Sequence, residues 1–286
     1  MKPIAIHGVP TDLGTKMRGS CVAPAHLRFA NLHGVIEALQ LKVHDDGDVY
    51  VPVRESLPAR ATATHHVREI ADISAQLARR VFISLQRQQF PLVIGGDHSI
   101  AIGSVCGASS YFAARRQKIG LIWVDAHADL NSNFTSTTQN IHGMPLYCLL
   151  GKVAPQNIAL IGARMIDPPE RELCEVINNF PMHDINKHGM QDITAKAIAA
   201  ASAGTDAIYV SFDLDAIDPT YAPAVNTPVM GGITYREAWQ LLATLHRTGK
   251  VCGMDLVEYN PLQDSGDKTA RLACELVQAM LGKTKL

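Results

Sequence analysis

The chain has 286 residues, 47 % of them hydrophobic, and a formal net charge of −1 at neutral pH. That length suits one large α/β domain, and the near-zero charge gives no reason to expect nucleic acid or an anionic membrane as a partner. No stretch approaches the roughly 18 apolar residues of a membrane span, and the start MKPIAIHGVP lacks the apolar core of a signal peptide, so a cytoplasmic protein is expected.

Short apolar runs alternate with segments of helical period along the whole chain. A strand is expected at residues 4–7, a helix at 25–41 and a weak strand near 43–44. A long amphipathic helix follows at 67–88, with Val67, Ile70, Ile73, Leu77 and Val81 at spacings of three and four. Strands are then expected at 92–94, 119–124 and 158–161, helices at 170–178 and 193–203, and a strand at 207–212. A helix at 236–247, a strand at 251–257 and a helix at 269–281 complete the order. The alternation predicts an α/β fold of three layers, α/β/α, with a mostly parallel central sheet. Without repeats, low-complexity tracts or linkers, residues 1–286 read as one domain. The six cysteines have no CxxC spacing, which speaks for reduced thiols rather than a zinc ribbon or a disulfide scaffold.

The unusual residues sit just past the strands. The run at 92–94 leads into Gly95, Gly96, Asp97 and His98, and the run at 119–124 into Asp125, His127 and Asp129. The run at 207–212 leads into Asp213, Asp215 and Asp218, and the run at 251–257 into Glu258. Parallel α/β sheets bind ligands at the carboxyl ends of their strands, so these clusters are predicted to meet at one edge. A spacing of two would place Asp125, His127 and Asp129 on one side of an extended chain, and likewise Asp213 and Asp215.

His98, Asp125, His127, Asp129, Asp213 and Asp215 together make four carboxylates and two imidazoles. Such a concentration of negative charge needs cations. A carboxylate-rich set without sulfur favours Mn²⁺ over Zn²⁺, and six ligands exceed what one catalytic zinc takes. Two ions bridged by carboxylates and a hydroxide fit the inventory, and a bridging hydroxide would attack an electrophilic carbon. The chemistry expected is hydrolysis.

Five stretches carry a resemblance. GGDHS (95–99), DAHADLN (125–131), NIHGMP (140–145), SFDLDAIDP (211–219) and MDLVEYNP (254–261) are similar, in order and spacing, to the motifs of the arginase or ureohydrolase family. RGSCVAP (18–24) and the closing helix extend the likeness to nearly the whole chain. The family consists of di-manganese enzymes that hydrolyse guanidinium or amidine groups. The resemblance implies an arginase-like fold and two Mn²⁺ per subunit. His98, Asp125, Asp129 and Asp213 would hold one ion and Asp125, His127, Asp213 and Asp215 the other, with Asp125 and Asp213 bridging. It also implies that Glu258 accepts hydrogen bonds from the guanidinium, that His142 shuttles protons, and that Asp129 belongs to the catalytic set. Homo-oligomers, trimers or hexamers, are common in the family and expected here.

The loop NSNFTSTTQNIHGMP resembles the arginase branch. By that likeness Asn131 and Thr138 meet an α-carboxylate, Asp167 and Glu170 an α-ammonium, and Thr227 the substrate as well. The activity implied is hydrolysis of L-arginine to L-ornithine and urea by a metal-bridging hydroxide. The alternative is another guanidino or formimino compound: agmatine, guanidinobutyrate or formimidoylglutamate. Three departures favour it. Met165 stands where arginases carry an aspartate, and Gln139 and Asn226 stand where glycine is usual, so that each side chain narrows the pocket or adds a polar contact. Two other readings fit the ligand set less well. A single-zinc deacetylase has no use for His98 and Asp129 as a second ligand set, and a non-catalytic relative would lack a ligand.

Overall fold

The structure is a computed structural model and describes residues 2–57 and 65–284. Its strands are β1 (Ile4–Val9), β2 (Val43–Asp48), β3 (Phe90–Gly95), β4 (Ile119–Val124), β5 (Ile158–Ile161), β6 (Asn178–Phe180), β7 (Ala207–Asp213) and β8 (Val251–Val257). They form one sheet in the order β2-β1-β3-β8-β7-β4-β5-β6. Every ladder is parallel, a stricter arrangement than the mostly parallel sheet expected.

Strand alternation divides the core into two layers. In β4, Ile119, Leu121 and Trp123 join one apolar cluster, while Ile122 and Val124 join the other. The first cluster is covered by α3 (Val67–Gln86), α4 (Ala101–Ala113), α5 (Pro145–Leu149) and α6 (Arg171–Val176). The second is covered by α1 (Ala23–Phe29), α2 (Leu32–Glu37), α7 (Met182–His188), α8 (Met190–Ser202), α9 (Tyr235–Arg247) and α10 (Lys268–Met280). This is the three-layer α/β/α fold, with both faces of the sheet buried as an all-parallel sheet requires.

Three local departures have physical causes. The helix expected at 25–41 divides because Asn31 takes a left-handed backbone, φ 67°, between α1 and α2. The helix expected at 170–178 shrinks to α6, preceded by a 3₁₀ turn at Pro168–Glu170 and followed by the edge strand β6. Helix α4, AIGSVCGASSYFA, had no counterpart in the expectations, because its Gly and Ser residues are poor helix formers. Packing overrides that weakness. A Cβ on Gly103 or Gly107 would lie 2.7 Å from the Ser74 carbonyl oxygen or 2.5 Å from that of Ala78, so the missing side chains let α4 press against the backbone of α3.

The sheet order also positions the site. Strands β3, β4, β7 and β8, far apart in sequence, are the four contiguous central strands in the order β3-β8-β7-β4. All four present their carboxyl ends at one edge.

Candidate active site

His98 opens a 3₁₀ turn that follows β3, with the Asp97 side chain accepting from the Ser99 N–H and the Gly14 N–H. Its Nδ1 faces three carboxylate oxygens: Asp125 Oδ2 at 3.1 Å, Asp213 Oδ2 at 3.1 Å and Asp129 Oδ2 at 3.2 Å. His127 Nδ1 lies 3.0 Å from Asp215 Oδ2 and 3.5 Å from Asp125 Oδ1. Asp125 therefore touches both imidazoles, one with each oxygen. Asp213 stands in the His98 group only.

Three of the four aspartates are aimed by a backbone N–H. The His127 N–H holds Asp125 Oδ1 at 2.7 Å, and the Asp215 N–H holds Asp213 Oδ1 at 2.7 Å. The Ala126 N–H holds Asp215 Oδ1 at 3.1 Å, while Thr227 Oγ1 donates to Asp215 Oδ2 at 3.0 Å. The chain does not stay extended to achieve this, contrary to the expectation from spacing. Asp129 is left-handed at φ 53°, and Asp213 caps a 3₁₀ turn at Leu214–Ala216. A left-handed non-glycine residue stores strain that the surrounding structure must hold, and such residues gather at functional sites.

The cluster fits divalent cations. His98 Nδ1 and Asp129 Oδ2 are buried within 3.2 Å of each other, yet neither is aligned for a hydrogen bond. Ligand atoms about 2.1 Å from one ion and at right angles lie about 3 Å apart, which is the spacing seen. Behind the imidazole, His98 Nε2 pairs with Ser211 Oγ at 2.8 Å, and Ser211 stands opposite the buried Asp255 in the β7–β8 ladder, whose carboxylate accepts from Ser104. With Nε2 turned to Ser211, Nδ1 is the ring nitrogen that faces the carboxylates and could meet a cation. The ring stacks on Trp123 with centroids 4.1 Å apart.

Without cations, protons carry the compensating charge. Burial opposes an imidazolium at His98, but Asp125, Asp129 and Asp213 outweigh it and raise its pKa well above the ordinary value. Burial likewise opposes His127, and Asp215 and Asp125 push it up to about 12. Burial and the Asp125 charge push Asp129 up to about 7.

His142 and Glu258 form a second pair. His142 Nδ1 lies 3.1 Å from Glu258 Oε1, which also accepts from the His98 N–H at 2.9 Å. Burial opposes the charged His142, but Glu258 outweighs it and pushes the imidazole up to about 9. Burial opposes the charge on Glu258, but His142 and the His98 backbone N–H together outweigh it and hold its pKa below the usual carboxylate value. Glu258 is 1 % exposed and left-handed at φ 64°.

The pocket above this floor is lined by His98, His127, Asp129, His142, Asp213 and Asp215, and its rim by Asn131, Thr138, Met165, Asp167, Glu170 and Thr227. The rim residues differ in what they leave open. Both Glu170 oxygens accept backbone N–H groups, of Leu130 and Asp167 at 2.8 Å each, so this buried carboxylate braces the rim. Asn131 Nδ2 donates to Asp167 Oδ2 at 3.0 Å. Thr138 and Asp167 are exposed, and so is Met165. Gln139 does not narrow the pocket: its amide folds back onto the Asn133 and Ser136 carbonyls, and its φ of 59° is the left-handed geometry that favours glycine. Asn226 does add a polar contact, donating to Glu258 Oε2 at 3.3 Å. Ser211, Asp255 and Asn260 had no role in the sequence reading. A serine two residues before Asp213 and an aspartate inside the apolar run of β8 were the available signals.

An all-parallel sheet with a cation-fitted carboxylate and imidazole cluster at its carboxyl edge defines a metal-dependent α/β enzyme. The arginase family profile matches residues 2–282, and the chain belongs to the arginase family, whose members are ureohydrolases. It is 39 % identical to the arginase of Brevibacillus brevis over 300 residues, covering 98 % of each chain. The Bacillus caldovelox arginase structure superposes with a TM-score of 0.95 at 36 % identity, covering 100 % of both chains. An Entamoeba histolytica arginase in complex with L-ornithine superposes at 0.89 with 26 % identity, covering 99 % of this chain and 100 % of that one.

Proposed function

We propose that this protein hydrolyses L-arginine to L-ornithine and urea with two Mn²⁺ ions. The observation that carries the reading is the pair of side-chain groups His98, Asp125, Asp213 and Asp125, His127, Asp215, which share Asp125. His98, Asp125, Asp129 and Asp213 would hold one ion and Asp125, His127, Asp213 and Asp215 the other; the sulfur-free donor set favours manganese. When bound, the two ions supply charge compensation and activate water for attack on the guanidinium carbon.

The remaining work falls to the chain's own residues. Glu258 offers a fixed, ionised acceptor to the guanidinium N–H groups. His142, held protonated beside Glu258, gives its proton to the amine that leaves when the C–N bond breaks; water supplies the oxygen of urea, and a proton from it returns to the imidazole. Asp129 serves the catalytic set through its contact with His98. Asp167, the exposed rim carboxylate, takes the α-ammonium, with Glu170 and Asn131 bracing it, and Thr138 offers a hydroxyl to the α-carboxylate. Thr227 acts through Asp215.

Urea release by manganese-loaded protein should be fastest with L-arginine in a panel with agmatine, guanidinobutyrate and homoarginine. Faster turnover of any other member would reassign the substrate within the family, an outcome that the neutral Met165 on the rim favours. Metal analysis should find two manganese ions per chain. The same reading carries one domain over residues 1–286, a cytoplasmic location and a homo-oligomer, trimer or hexamer, which light scattering would size. Among the described residues no helix is long and apolar enough to cross a membrane.

A further inference from the structure

We infer that Asn226 is a positioning residue: it fixes the plane of the Glu258 carboxylate and thereby sets how firmly the site grips a guanidinium. The inference rests on the role proposed for Glu258 and adds a residue to it.

A chain of amides fixes which way Asn226 points. The Leu262 N–H donates to Asn260 Oδ1 at 3.1 Å, so the Asn260 NH₂ faces the other way and reaches Asn226 Oδ1 at 2.6 Å and the Arg18 carbonyl at 3.0 Å. The oxygen of Asn226 is thus taken, and its NH₂ must face Glu258 Oε2, 3.3 Å away. Turning the Asn226 amide over would break both of its bonds, to Asn260 and to Glu258. All three side chains are buried, with Asn226 6 %, Asn260 1 % and Glu258 1 % exposed. The backbone ties the two segments together as well: the Asn260 N–H donates to the Ala224 carbonyl at 2.9 Å, and Val225 bridges Tyr259.

The contact matters because of how the other two are placed. The His98 N–H and the His142 imidazole both meet Oε1. Two anchors on one oxygen locate that oxygen but leave the carboxylate free to swing about it. Asn226 supplies the hydrogen bond to Oε2, so it stops the swing and fixes where the remaining lone pair of Oε2 points. An acceptor already fixed loses less freedom when the ligand arrives.

Two variants separate this role from simple structural support. Asn226→Asp keeps the bond from Asn260 but sets an acceptor that also carries negative charge against Glu258. Asn226→Leu removes the donor at similar volume. For manganese-loaded protein, the KM for L-arginine should rise about tenfold in Asn226→Leu and further in Asn226→Asp, with kcat within about threefold. L-Ornithine has no guanidinium, so its affinity by calorimetric titration should stay within about twofold. An arginine KM unchanged in both variants would overturn the inference, as would an ornithine affinity that falls in step with it. Those results would leave the arginase reading intact. Wild-type protein that releases no urea from arginine would instead remove the reading beneath it.

Discussion

The floor and the rim of the pocket are built by opposite means. On the floor, Asp125, Asp213 and Asp215 are each aimed by a backbone N–H at 2.7–3.1 Å and are almost fully buried. At the rim, Met165 is 53 % exposed, and hydroxyls and amides of one loop bond mostly to each other. A buried charge is costly unless neutralised, so the floor tolerates few alternatives, whereas exposed polar groups trade partners with water at small cost. The proposed function lodges reaction chemistry in the floor and substrate choice in the rim.

The largest effect that would test this contrast comes from the carboxylate shared by both imidazoles. Asp125→Asn should lower kcat by about 10⁴-fold or more and empty both ion positions, read by turnover and metal content together. Retention of two manganese ions at wild-type affinity would show that the floor does not depend on that charge. Next comes His142→Asn, which removes the proposed general acid, paired with Glu258. A kcat loss of about 10²–10⁴-fold with unchanged metal content is expected. Loss of the metals as well would merge the two pairs into one unit.

A pH series probes the floor's charge balance. Burial and Asp125 raise Asp129 to about 7 in the metal-free protein, above its unfolded value of about 3.9. Between these values the native state holds more protons than the unfolded chain, so metal-free stability falls as pH rises from about 4 to 7. His127, raised to about 12, extends the same slope upward from its unfolded value of about 6.5. Cations displace these protons, so the gap in Tm between manganese-loaded and metal-free protein should widen as pH rises from 5 to about 8. A gap that narrows would mean that the floor is not where the protons sit. The smallest effect belongs to the rim. Met165→Asp should lower the arginine KM by about 3–10-fold, roughly 1 kcal/mol for a partly exposed ion pair, with kcat nearly unchanged. A change in kcat of equal size would place Met165 with the floor.

The floor was largely legible in the sequence because its donors lie within a few residues of strand ends: His98 after β3, Asp125 to Asp129 after β4, Asp213 and Asp215 at the end of β7. The rim was less so. Glu170 reads as a substrate contact in the sequence, and that each of its oxygens also accepts an N–H group, of Leu130 or Asp167, is something no local pattern announces. Ser211 and Asp255 come together because β7 and β8 pair in register at those two residues, 44 positions apart in the chain.

Sequence by itself determined the alternation of strands and helices, the order of the donor clusters and the kind of ion they suit, because these depend on local period and side-chain chemistry. Tertiary structure decided that β3, β8, β7 and β4 lie side by side, that Asp129 and Glu258 adopt left-handed backbone, and that Asn226 is wedged between Asn260 and Glu258. Those outcomes depend on pairings between distant segments, and the energy that sets them, packing of α4 on α3 or an amide bonded to an amide 34 residues away, is absent from any single stretch of the chain.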